Sequence, residues 1–129
     1  MKPFEHLPHR YPFIMIDTAE IIEEGRHAKG TKQITVNDRI VLPDGKMPDV
    51  YIIEAMAQIS GIASGKKGGS VFAAINNLTF SGTANAGDIL DVESILERNI
   101  GSLYIFSCKA SVAAGTIAEG EIILHFNAE

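Results

Sequence analysis

The chain has 129 residues, 46% hydrophobic and 21% charged, with a formal net charge of -5. That length allows one domain with one sizeable core, and the composition is that of a folded globular protein, not a disordered one. The acidic balance argues against a general nucleic-acid binder, the single cysteine, Cys108, excludes an intrachain disulfide and fits a reducing compartment, and no run reaches the roughly 18 apolar residues of a membrane span.

The opening MKPFEHLPHRYPF lacks the apolar run of a signal peptide, so the expected location is cytoplasmic. Residues 13–23, FIMIDTAEIIE, are rich in β-branched and aromatic types and predict a strand. Glu24-Gly25 predicts a turn, residues 26–36 a second and more polar strand, and the Asn, Asp, Pro and Gly of residues 37–47 a loop. Pro48 and Asp49 are helix-start signals: Asp49 is expected to cap, and an acid is favoured near the positive end of the helix dipole. The helix should reach about Gly65, where Gly65-Lys66-Lys67-Gly68-Gly69 ends it.

Four strand-like runs follow, at residues 70–79, 88–98, 102–112 and 116–127. Three of their boundaries are glycine-containing turns at Ala86-Gly87, Asn99-Ile100-Gly101 and Ala113-Ala114-Gly115. Tyr104, Phe106, Cys108, Ala110 and Val112 fall on one face of the third run, and Ile122, Leu124 and Phe126 on one face of the fourth. Period-two patterning of this kind suits an antiparallel sheet with one covered face. The expected fold class is α+β: residues 1–129 form one domain in which a sheet packs on one long central helix.

Within that helix, VYIIEAMAQISGIASG (Val50 to Gly65) is apolar or small at nearly every position. A helix apolar almost all round is covered almost all round, and one short sheet covers one side. The remaining cover is expected from a second subunit, most simply in a two-fold homodimer, with a larger assembly of dimers left open. Glu54, Gln58 and Gly61 share one line of the helix, and Gly61 leaves room beside the two polar groups. An unpaired buried carboxylate is costly. Glu54 is therefore either satisfied across the subunit interface as a structural group, or placed as an acid/base in an apolar pocket.

LPHRYPFIMID (Leu7 to Asp17) and MPDVYIIEAMAQISG (Met47 to Gly61) resemble, in order, the two signature segments of the 3-hydroxyacyl-acyl carrier protein dehydratases of type II fatty acid synthesis. FAAINNLTFSGTANAGDIL, Phe72 to Leu90, is similar to its counterpart there, so the resemblance spans nearly the whole chain. It implies the hotdog fold, in which a sheet wraps a central helix and subunits pair side by side. It implies Glu54 as the catalytic acid/base in an acyl pocket at the dimer interface, with Gln58 in the same motif. It also implies that the amides at Asp49 and Val50 lie where the family cradles the thioester carbonyl. The implied partner is an acyl thioester on acyl carrier protein or coenzyme A.

Two departures bear on chemistry. The family pairs its helix Glu with a His from a Gly-His-Phe-Pro-Gly segment of the other subunit. The matching residues here, NDRIVLPDGKMPDV (Asn37 to Val50), contain no histidine and offer Asp38, Asp44 and Asp49 instead. Asp49 also replaces a family glycine, where its side chain could occupy or repel at the cradle. His9 matches the PHR segment and is read as structural, and His6, His27 and His125 as packing or surface residues without metal-ligand spacing. No metal or cofactor is called for. Cys108 reads as a small core residue. Lys66-Lys67 are either a docking spot for an acidic carrier or two solvated lysines, and Arg10, Arg39 and Arg98 are further unplaced candidates. The alternatives to a dehydratase-like enzyme are a hotdog thioesterase, and a non-catalytic acyl-binding protein or partner subunit that lends Glu54 to an intact dehydratase.

Overall fold

The period-two runs become one six-stranded antiparallel sheet in the computed structural model, which describes residues 16–37, 41–66 and 70–126. The elements are β1 (Thr18–Glu23), β2 (His27–Gln33), α1 (Asp49–Ala63), β3 (Ser70–Phe80), β4 (Ile89–Ile100), β5 (Leu103–Val112) and β6 (Gly115–Phe126). The expected order β-β-α-β-β-β-β stands, and the spatial order is β1-β2-β4-β5-β6-β3. The first two strands are shorter than their composition predicts, and residues 13–15 lie outside the described residues.

The helix packs over β4 and β2 and reaches β5, β6 and β1. Ile52, Ala55, Met56, Ile59, Ile62 and Ala63 of α1 are buried, as are Leu90, Val92, Phe106, Ala110, Ile122 and Leu124 of the sheet. Helix and sheet approach closely at Gly30, where an added Cβ would fall 2.4 Å from Ile59 Cδ1 and 2.8 Å from the Thr18 carbonyl oxygen.

The helix start corrects one expectation. Pro48, not Asp49, occupies the cap position, and no side chain caps the helix. Pro48 has a fixed φ of -59° with an extended ψ of 145°, so the helix begins one residue later and Asp49 is its first member. The Asp49 carboxylate still stands in the first turn, where the dipole favours it. At the other end α1 stops at Ala63, with Ser64 as the last residue in helical conformation and Gly65 at φ +70°. The Gly65 N–H donates to the Ile62 carbonyl, closing the end with the left-handed residue that glycine adopts readily.

The sheet's outward face is polar across its centre. Glu20, Lys29, Glu93, Lys109 and Glu119 sit directly opposite one another across β1, β2, β4, β5 and β6, alternating in sign along one row. Opposite charges directly across a strand pair favour that register, and the row marks this face as the solvated one.

Among the described residues two surfaces are open in the single protomer. Along α1, Val50 is 62% exposed, and Ile53, Glu54, Ala57 and Gly61 are half-buried. Among the described residues the sheet is bordered by β3, which there pairs only with β6 and carries no charged residue in SVFAAINNLTF. Val71, Phe72 and Ile75 of β3 are exposed.

Candidate active site

The loop before α1 is fastened to the segment before β4. Lys46 bridges Asn85, the Met47 N–H donates to the Ala84 carbonyl at 2.9 Å, and the Ala86 N–H to the Gly45 carbonyl at 2.7 Å. The Asp44 carboxylate accepts from the Lys46 N–H at 3.0 Å, so its charge closes the loop's own turn. This anchoring fixes where the helix starts and hence where Glu54 stands.

Glu54 is half-buried, Gln58 is 1% exposed, and the Gln58 Nε2 donates to Glu54 Oε1 at 3.3 Å, a contact one helical turn long. Gly61 follows on the same open stripe, half-buried. Val50 and Asp49 are exposed at the helix start. Val50, Glu54, Gln58 and Gly61 therefore lie along one side of the helix, with the carboxylate at the edge of the covered face, whereas Asp49 in the first turn points about 140° away from Glu54.

The histidines in the described residues lie elsewhere. His27 is on β2, its Nε2 2.6 Å from Glu93 Oε2 across to β4. His125 sits on β6 opposite Leu103 and Val71. His6, His9, Asp38, Arg10, Arg39 and Lys67 lie outside the described residues. Lys66 is held by aromatic rings: its Nζ is 5.1 Å from the Tyr104 ring centre and 5.9 Å from that of Phe126, and those two rings meet edge-to-face. Arg98 is exposed near the end of β4.

Two grooves of about 590 and 610 Å³ open on the solvated face of the sheet. One is lined by residues such as Glu20, Lys29 and Asp91, the other by Asn77, Glu119 and Glu121. Neither is lined by Glu54 or any other α1 residue, so both lie apart from the candidate chemistry. Among the described residues no group of three or more His, Cys, Asp or Glu could hold a metal ion, and no helix is long and apolar enough to cross a membrane.

Beneath the helix lies a polar cluster that sequence reasoning missed. Ser60 Oγ donates to the Met56 carbonyl at 2.8 Å and meets Ser94 Oγ at 2.7 Å and Cys108 Sγ at 3.3 Å. All three side chains are buried, and burial pushes the Cys108 thiol above its ordinary range despite hydrogen bonds with Ser60 and Ser94 that oppose the rise. The three residues come from α1, β4 and β5, so no local spacing could have announced them.

Comparison with known proteins places this geometry. The FabA-like domain model matches residues 7–121. The 3-hydroxyacyl-[acyl-carrier-protein] dehydratase FabZ of Syntrophotalea carbinolica is 39% identical over 126 residues, covering 90% of this chain and 86% of that protein. The Caldicellulosiruptor bescii protein of the same name is 35% identical over 133 residues, covering 95% and 94%. Among solved structures, the dehydratase heterocomplex ApeI:P from Xenorhabdus doucetiae superposes with a TM-score of 0.88 at 16% identity, covering all of this chain and 93% of that one. A hypothetical thioesterase with coenzyme A from Streptococcus pneumoniae reaches 0.72 at 12% identity, covering 89% and 90%. At these low identities the two structures bear on the fold, which is the hotdog fold.

Proposed function

This chain belongs to the FabA-like domain family, and from that membership we propose that it acts on 3-hydroxyacyl thioesters as a dehydratase-like hydro-lyase with Glu54 as its acid/base. The dehydratase-like class rests on relatives that match nearly the whole chain. One observation carries the assignment to Glu54: it is the carboxylate at the border of the open helix stripe, and the buried Gln58 amide orients it. In that role the protonated Glu54 delivers its proton to the leaving 3-hydroxyl. A second group takes the α-proton, the C2–C3 double bond forms, and water departs.

The substrate pocket, with Gln58, Gly61, Val50 and Asp49 at its helix side, is completed by a second copy in a homodimer. Two features support this. The open stripe of α1 presents apolar and small side chains, and β3 is a long, uncharged sheet border, where an unprotected edge would invite aggregation. The thioester is carried by acyl carrier protein or by coenzyme A.

The family's histidine segment has no histidine counterpart here, and loss of a general base typically lowers rates by roughly 10²- to 10⁴-fold. The isolated protein is therefore expected to dehydrate slowly. Incubating it with 3-hydroxyacyl, enoyl and saturated acyl thioesters separates the readings. Water loss or addition supports this proposal, thiol release indicates a thioesterase, and neither indicates an acyl-binding or partner subunit.

A further inference from the structure

We propose that Tyr51 is a further catalytic residue of this site, its phenol hydroxyl donating a hydrogen bond to the thioester oxygen while the α-proton is removed. The inference rests on the dehydratase reading above and adds a group to it.

Three observations lead there. Tyr51, Glu54 and Gln58 stand at helix positions i, i+3 and i+7, which at about 100° per residue places all three within an arc of about 60°. That arc is the border between the covered face of α1 and its open stripe: Gln58 is buried, and Glu54 and Tyr51 are half-buried. The Tyr51 ring packs against the core, which restricts where its tip can go. Yet among the described residues its hydroxyl makes no hydrogen bond, although its backbone N–H is used, donating to the Pro48 carbonyl at 3.0 Å. A phenol with a packed ring and an unused tip, beside an oriented carboxylate, is a donor held ready for a ligand.

The reaction requires such a donor. Breaking the C2–H bond pushes electron density onto the thioester oxygen, which must be stabilised as the 3-hydroxyl leaves with a proton from Glu54. The amides at the helix start are poorly suited alone, because the Asp49 carboxylate in the same turn opposes a developing anion. Tyr51 lies three residues toward that start from Glu54, a rise of about 4.5 Å, so the two can address the carbonyl and hydroxyl oxygens of one substrate. Tyr51 keeps its proton throughout and only polarises the carbonyl.

The test uses Tyr51→Phe, which removes one oxygen and keeps the packed ring, beside Glu54→Gln and the wild type. Turnover of a 3-hydroxybutyryl thioester should fall about 10²-fold in Tyr51→Phe, mainly in kcat, as for loss of one oxyanion donor. A second readout does not depend on turnover. The infrared carbonyl band of carbonyl-labelled crotonyl-coenzyme A should shift to lower frequency on binding wild type and return toward the free value in Tyr51→Phe. If Glu54→Gln abolishes turnover while Tyr51→Phe leaves both rate and band unchanged, Tyr51 is not the donor and the dehydratase reading stands. If neither substitution changes turnover, the dehydratase reading of Glu54 fails first and the role of Tyr51 fails with it.

Discussion

At the scale of single residues, this chain places polar atoms on two sides of one helix with opposite consequences. On the covered side, Ser60, Ser94 and Cys108 saturate one another in the core. Ser60→Ala leaves Ser94 buried with only a weak thiol partner, so urea unfolding should show a loss of about 1–3 kcal/mol, the cost of an unsatisfied buried hydroxyl. The Cys108 thiol should be inert to alkylation in the folded protein at neutral pH and react on unfolding, because burial raises its pKa. The thiol is raised in the folded state, so its neutral form contributes fully below the ordinary thiol range, and that contribution is lost as pH rises through and above it. A melting series from neutral to alkaline pH should decline less for Cys108→Ala than for wild type. None of this cluster was legible in the sequence beyond the burial of Cys108, since Ser94 and Cys108 lie 34 and 48 residues from Ser60. Glu54 stood out as a candidate because a carboxylate in an apolar helix conflicts with its surroundings, and conflicts of that kind are where functional groups are sought.

At the scale of elements, alternation every second residue identified β5 and β6 closely, because each has one covered and one solvated face. It could not show where β3 departs from regular pairing. Asn77 adopts φ +52°, and the register with β6 slips between Asn76 and Thr79, which brings the Leu78 backbone over Gly120. A Cβ at Gly120 would lie 2.6 Å from Leu78 Cα. Gly120→Ala should therefore destabilise by about 1–3 kcal/mol in chemical denaturation, as other overpacked sites do, since a backbone atom cannot step aside as a side-chain tip can. The helix start was misread for a related reason. Pro48 and Asp49 are both start signals, and which one takes the cap depends on the ψ of a single residue.

At the scale of the whole molecule, the proposed homodimer would cover the open stripe of α1 and the uncharged border strand. Ile75 is 38% exposed in the protomer, where a lysine would ordinarily change stability by no more than about 0.5 kcal/mol. In a dimer closed along β3 the same Ile75→Lys change buries a charge, so sedimentation should show dissociation or marked weakening of the assembly. A wild type that sediments as a monomer at micromolar concentration would contradict the homodimer and the shared pocket together. The proposed role of Glu54 is tested most directly by turnover of a 3-hydroxyacyl thioester by wild type and by Glu54→Gln, with the thermal melts of both recorded. Wild type should convert it slowly but measurably to the enoyl thioester, and Glu54→Gln should lose that conversion at an unchanged melting temperature. Equal turnover by the two proteins would show that the carboxylate on the open stripe is not the acid/base.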